Sequence, residues 1–242
     1  IIAWGVPELI SKWRYKEKVL SISAGIIIPA LLITTWGQVS HWKNSITIFK
    51  HAIRVTDRKY PSFSVVHNNL GNALFAERKT EEAISHYKTV IRLKPDDAEA
   101  HYKLGNALFA ERKTAEAISH FKVAIRLEPD YVSAHYNLGA TLFSVKKTAE
   151  AISHYKTVIR LKPDFAPAHN NLGDALFVER KTAEAISHYK IAVKLKPDHA
   201  YGYNNLGAAL LVEQKTEEAI PNLKMAIRLK PDYAEAYYNL GT

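Results

Sequence analysis

AEAHYKLGNALFAERKTAEAISHFKVAIRLEPDY, residues 98–131, decides the fold of this 242-residue chain. Its Leu104-Gly105 pair recurs at Leu70-Gly71, Leu138-Gly139, Leu172-Gly173, Leu206-Gly207 and Leu240-Gly241, always 34 residues apart. A fixed period of this size marks a chain built by stacking one supersecondary unit, each unit burying its apolar face against its neighbours. The units run 64–97, 98–131, 132–165, 166–199 and 200–233, with a sixth begun at 234–242.

Each unit reads as two helices. Tyr102, Leu104, Leu108 and Phe109 fall at helical spacing around Gly105, which has no side chain and so lets another helix approach. Thr114 is placed to cap the second helix, and Glu116 in its first turn complements the helix dipole. Ala117, Ile118, Phe121, Ala124, Ile125 and Leu127 form the buried stripe of that helix. Pro129-Asp130 stops it, because the residue before a proline disfavours the helical conformation. The threonine returns at Thr80, Thr148, Thr182 and Thr216, and the proline at Pro95, Pro163, Pro197 and Pro231.

Leu104, Gly105, Ala117, Phe121, Ala124 and Pro129 are the positions through which the unit resembles the tetratricopeptide repeat. The resemblance covers about three quarters of the chain. It implies an all-α superhelical solenoid of antiparallel helix pairs, with the first helices lining a concave groove. There are departures: Val90 and Val158 replace the second small residue, Leu223 replaces the aromatic, and Pro221 enters the last second helix early. Arg78, Arg112, Lys146, Arg180 and Gln214 occupy a turn position where the family often has glycine.

The same resemblance assigns groove positions just before each Leu-Gly, held here by Asn69, Lys103, Asn137, Asn171, Asn205 and Asn239. An amide both donates and accepts, so such a row can pair with the backbone of an extended peptide whatever its sequence. It is similar to the asparagine ladder in the repeat domain of the O-linked N-acetylglucosamine transferase. A plainer reading stands beside it, in which the asparagines hold neighbouring helices together. On the ladder reading, replacing Asn137, Asn171 and Asn205 by alanine weakens peptide binding and leaves folding intact. Phe75, Phe109, Phe143 and Phe177 are candidates for the groove floor, or for core. The carboxylate clamp by which related domains hold chaperone C-termini needs cations. Tyr102, Asn106, Asn137, Pro167 and Asn171 stand at the matching positions instead.

The chain carries a formal charge of +9 and a pI near 9.5. Lys88 and Arg92, and likewise Lys156 and Arg160, share the outer face of a second helix, with Lys94 and Lys162 beyond them. A solvated face explains them; anionic lipid headgroups or acidic glycans are the sharper alternatives. No stacking aromatics are interleaved with these charges, so nucleic acid is not expected as a partner. There is no cysteine, which excludes disulfides and thiolate chemistry. His67, His101, His135 and His169, and His86, His120, His154 and His188, repeat because the unit repeats. Neither a metal-ligand spacing nor a catalytic set is present, so no metal, catalytic residue or cofactor is expected.

Ahead of the array, Val19–Ser40 contains no acidic or basic residue. A bilayer core needs roughly 20 apolar residues in a helix, and this run is read as a transmembrane helix at 19–40. Alternatives are a buried first helix of the solenoid, echoed in Trp36-Gly37, and a signal peptide, for which no cleavage pattern follows. The preceding flank, 1–18, carries Lys12, Arg14, Lys16 and Lys18, against Lys43 and Lys50 after the run. The positive-inside tendency then puts the repeats on the extracytoplasmic side, periplasmic or lumenal. Residues 41–63 read as a worn second helix, with Phe49, Ala52 and Ile53 in place of Phe121, Ala124 and Ile125, and a linker. The absence of an initiator methionine and an end at Thr242, within a unit, lead us to expect a longer protein.

These features suggest a membrane-anchored scaffold binding peptide or protein partners along its groove. Residues 1 to about 70, with Gln38-Val39-Ser40-His41-Trp42 and Ser45–Ala52, also resemble the C-terminal part of polytopic membrane glycosyltransferases. The transmembrane-and-tetratricopeptide O-mannosyltransferases are of that kind. That resemblance implies a piece presenting acceptor proteins to a catalytic domain upstream. A third expectation is end-to-end self-association of near-identical units through open solenoid ends.

Overall fold

A computed structural model describes residues 44–56 and 62–241. Among them are twelve α-helices and no strand. Helix α1 spans Ser45–Val55, and five pairs follow. These are α2 (Ser62–Ala76) with α3 (Thr80–Leu93), α4 (Ala98–Ala110) with α5 (Thr114–Leu127), and α6 (Val132–Ser144) with α7 (Thr148–Leu161). Then come α8 (Ala166–Val178) with α9 (Thr182–Leu195), α10 (Ala200–Val212) with α11 (Thr216–Leu229), and a final α12 (Ala234–Gly241). Each first (A) helix packs most extensively on its own second (B) helix, then on the B helix of the unit before. Helix α1 takes that preceding place for α2, with Ile46 buried and Phe49 and Ile53 packed on the core. The flank 1–18, the apolar run 19–40 and residues 57–61 lie outside the described residues. No helix of the described residues is long and apolar enough to cross a membrane.

The pairing rests on a close approach that the Leu-Gly motif makes possible. A Cβ on Gly105 would lie 2.6 Å from the Phe121 ring, and Gly71, Gly139 and Gly173 face Tyr87, Tyr155 and Tyr189 in the same way. Glycine on the A helix and an aromatic on the B helix are thus two halves of one contact. In the last unit Leu223 fills the aromatic's place against Gly207, and Val90 and Val158 are buried without displacing their helices. Pro221 sits inside α11 without ending it. One continuous core runs from Ile46 to Ala219.

The A-to-B turn has the same hydrogen-bond pattern five times. At the end of α4 the Arg112 N–H donates to the Phe109 carbonyl at 3.0 Å, and the Lys113 N–H reaches back to Leu108 at 2.8 Å. This is the Schellman arrangement, which satisfies carbonyls left over at a helix end. It requires a left-handed backbone at the bend. Arg78, Arg112, Lys146, Arg180 and Gln214 all adopt it, with φ between 58° and 62°. A Cβ makes that conformation costly. Replacing Arg112 with glycine is therefore expected to raise stability by several tenths to about 1 kcal/mol. A urea midpoint that fails to rise would show that the arginine side chain compensates.

The same turn corrects the expectation for Thr114. It is the first residue of α5, and Lys113 is the cap, with no side-chain capping bond. The chain becomes helical directly after the left-handed residue, so the threonine hydroxyl, 3.5 Å from the Arg112 carbonyl, lies one position too late to cap. Thr80, Thr148 and Thr182 are buried at the same place. The outer basic residues Lys88, Arg92, Lys94, Lys156, Arg160 and Lys162 are exposed. Consecutive B helices are bridged by Lys122–Glu150 at 3.8 Å and Lys190–Glu218 at 3.0 Å, and α1 is bridged to α3 by Lys50–Glu82 at 3.4 Å. Exposed pairs of this kind contribute about 0–1 kcal/mol each.

Candidate functional site

The row of residues before each Leu-Gly lies half-buried along the A helices. Each member from Lys103 onward donates to the A helix before its own. Lys103 Nζ reaches Asn68 Oδ1 at 3.0 Å, and Asn137 Nδ2 reaches the Tyr102 hydroxyl at 3.2 Å and Asn106 Oδ1 at 2.7 Å. Asn171 donates to the Tyr136 hydroxyl at 3.1 Å, Asn205 to Asp174 Oδ1 at 2.9 Å, and Asn239 to Asn204 Oδ1 at 3.0 Å. The asparagines therefore do hold neighbouring helices in register. What they retain for a ligand is carbonyl oxygen capacity and, at Asn171 and Asn205, a second N–H. Folding is thus not independent of them, and alanine at these positions is expected to cost stability as well.

The rung between α8 and α10 departs from the others. The column that reads Asn68, Tyr102, Tyr136 and Asn204 in the other full units holds Asn170 here, without the tyrosine ring of the two preceding units, and the column of Asn72, Asn106, Ala140 and Ala208 holds Asp174. The smaller Asn170 leaves a cavity of about 330 Å³, lined by Tyr136, Asn170, Asn171, Asp174, His199 and Asn205, with Pro167, Lys196 and Tyr201 also at its wall. Asp174 accepts from the Tyr189 hydroxyl at 2.7 Å, from Asn205, and from Asn170 Nδ2 at 3.2 Å. Burial pushes its carboxyl above the usual range, against the pull of the Tyr189 and Asn205 hydrogen bonds. Tyr189 is raised by its own burial and by Asp174. Because Asn205 turns to Asp174, Asn170 Oδ1 is left buried without a partner. None of Phe75, Phe109, Phe143 and Phe177 lines this cavity. Phe143 and Phe177 pack on the core, while Phe75 and Phe109 are more than a third exposed.

The histidines, read from the sequence as mere products of repetition, meet in pairs. Nδ1 of His67, His101, His135 and His169 lies 2.8, 3.0, 2.9 and 3.1 Å from Nδ1 of His86, His120, His154 and His188. Nε2 of His101, His135 and His169 is 3.2, 3.0 and 3.0 Å from the carbonyls of Pro95, Pro129 and Pro163. A carbonyl only accepts, so each of these inner rings carries its proton on Nε2 and offers Nδ1 as acceptor. The outer ring must then donate from Nδ1. Each pair ties the A helix to its B helix, and the pairs of His101, His135 and His169 also tie to the proline ending the unit before. Signal for this existed in the sequence as two histidine columns 19 residues apart, but helix pairing had to be known to read it. Among the described residues no three His, Asp or Glu side chains converge as metal ligands.

The outer rings are held neutral. Burial pushes His154 down to about 4 from its ordinary 6.5, helped by His135 and Lys122 and opposed by Glu150. His86, His120 and His188 are lowered too, with burial again the leading cause. The unfolded chain takes up these protons near pH 6.5 and the folded chain does not. Their stabilisation is therefore complete above pH 6.5 and is lost as pH falls through their lowered folded values, about 4 for His154. The melting temperature is expected to drop over this range. Replacing the four outer histidines with asparagine, the residue at Asn222 in the fifth unit, should flatten the drop; an equally steep profile would assign it elsewhere.

The geometry described above agrees with the comparisons to known proteins. A family model described as TPR repeat matches residues 71–111, 105–146, 142–178 and 213–242, and a second, described as Tetratricopeptide repeat, matches 166–199. Similar solved structures include YrrB, described as a TPR protein with an unusual peptide-binding site. It is 24% identical with a TM-score of 0.68, covering 80% of this chain and 98% of that one. MamA is 25% identical with a TM-score of 0.64, covering 69% and 97%. MamA residues 41 to the end from Desulfovibrio magneticus RS-1 is 23% identical with a TM-score of 0.66, covering 71% and 97%. No curated protein matches the chain. With the repeat models covering more than half of its residues, the chain belongs to the tetratricopeptide-repeat family.

Proposed function

We propose that this chain is a non-enzymatic scaffold that takes an extended peptide or protein segment along its A-helix face. The observation that carries the reading is the row of half-buried amides, with hydrogen-bonding capacity left over, running into the cavity between α8 and α10. Extended backbone alternates donors and acceptors, and amide side chains complement both. The likeness in fold to YrrB, described as a TPR protein with an unusual peptide-binding site, supports peptide binding by an array of this kind.

Random dodecapeptides displayed on phage test this. The unmodified chain should enrich binders. Synthetic versions should bind Asn171→Ala/Asn205→Ala about tenfold more weakly, the size expected from losing one or two net hydrogen bonds. A thermal melt run alongside separates lost contacts from lost fold. Binding that is unchanged in a folded double variant contradicts the amide row as the contact surface.

The uncharged run at Val19–Ser40 favours a further element of this reading, in which the scaffold is anchored in a membrane with its repeats on the extracytoplasmic side. On that arrangement the array is suited to presenting acceptor proteins to a membrane glycosyltransferase domain, as the resemblance of residues 1–70 suggests. Protease protection of the repeats in sealed membrane vesicles of known orientation tests the placement.

A further inference from the structure

We propose that the cavity between α8 and α10 is a subsite for a basic group, with Asp174 and Asn170 as its acceptors. This rests on the reading of the A-helix face as a peptide groove, and it names what the peptide must carry.

Three observations converge there. First, Asp174 is the one acid in its column; the other units place Asn72, Asn106, Ala140 and Ala208 there. Second, among the described residues its carboxylate forms no ion pair, and its three partners, Tyr189, Asn205 and Asn170, are neutral donors. Lys196 stands at the cavity wall and forms no ion pair with it. A carboxylate drawn out of water without a counter-charge is costly, and a ligand cation removes that cost. Third, Asn170 is 7% exposed, lines the cavity, and keeps its Oδ1 without any hydrogen-bond donor. Its orientation is fixed, since the opposite rotamer of the amide would set that oxygen against the Asp174 carboxylate. The site thus has a negative charge and a vacant acceptor side by side, and no donor of the lining is turned to the Asn170 oxygen. An ammonium or guanidinium supplies charge and several N–H groups at once. A neutral apolar side chain supplies neither, and an acidic one is repelled.

The source of the cation is either a lysine or arginine side chain or a free peptide N-terminus. Fluorescent octapeptide libraries with one fixed residue distinguish these. The first is blocked at both ends and fixed as lysine. The second is blocked and fixed as norleucine, which matches lysine's length without the charge. The third carries norleucine with a free N-terminus.

With the unmodified chain, the lysine or the free-amine library should bind about tenfold or more tightly than blocked norleucine, as a charged hydrogen bond implies. The preference should vanish in Asp174→Asn, which keeps the shape and the Tyr189 bond. Equal binding of all three libraries to the unmodified chain overturns the subsite and leaves the groove intact; this comparison needs no variant. A preference that survives in folded Asp174→Asn also overturns it. If no library binds at all, the groove reading fails, and the subsite with it.

Discussion

Phe121→Ala in α5 is expected to destabilise the protein by about 3–5 kcal/mol, the range for removing a buried aromatic ring. Phe121 is 1% exposed and packs with Cδ1 and Cε1 against the bare backbone at Gly105, with the Tyr102 ring 6.1 Å away. Its loss opens a cavity where α4 and α5 meet, and flanking helices tied into neighbouring units cannot close it. For a chain of this size the effect is a fall in melting temperature on the order of 10 °C. In a solenoid each unit leans only on its neighbours, so the damage should be graded along the array. Hydrogen exchange should quicken first in α4–α6 and least in α10 and α11. A uniform loss of protection would mean the array unfolds as one cooperative block.

Gly173→Ala should be the most damaging of the glycine substitutions. The new methyl would stand 2.5 Å from Cε1 and 2.7 Å from Cδ1 of Tyr189. The ring must move, at about 1–3 kcal/mol for an overpacked site. Tyr189 cannot move freely, because its hydroxyl donates to Asp174 at 2.7 Å, a bond to a carboxylate that contributes about 1.5–3 kcal/mol. Gly139→Ala makes the matching comparison, since its Tyr155 neighbour is 2.8 Å away and the unit has Ala140 where Asp174 stands. In a Tyr189→Phe background the extra penalty of Gly173→Ala over Gly139→Ala should disappear. Denaturant midpoints for the set check this; an equal cost for the two glycines in the unmodified background would remove the coupling between core and cavity.

The all-α pairing was legible because its physics is periodic: Leu104, Phe121 and Pro129 repeat at the spacing that buries them, and five copies leave no alternative. The threonine was misread because capping depends on where the turn ends, and the left-handed residue at Arg112 ends it one position earlier. The paired roles of the asparagines were stated as alternatives, and the hydrogen bonds from Asn137, Asn171 and Asn205 show the structural one operating, with carbonyl capacity left over. The cavity was missed although its signal was printed in the chain. It lies in one departure from a column, Asp174 for asparagine or alanine, next to Asn170 in place of the tyrosine of the two preceding units, and is unremarkable until α8 and α10 are set side by side. The histidine pairs were opaque for the same reason: their partners are 19 residues apart and meet only once A and B helices pack.

The groove itself is tested most directly by side-chain and backbone amide resonances in a nitrogen-labelled sample titrated with a phage-selected peptide. Side-chain shifts are expected at Asn137, Asn170, Asn171 and Asn205, with the backbone amides of the outer B-helix residues Lys88–Lys94 and Lys156–Lys162 unmoved. Shifts confined to that outer face, with the groove amides silent, would contradict it.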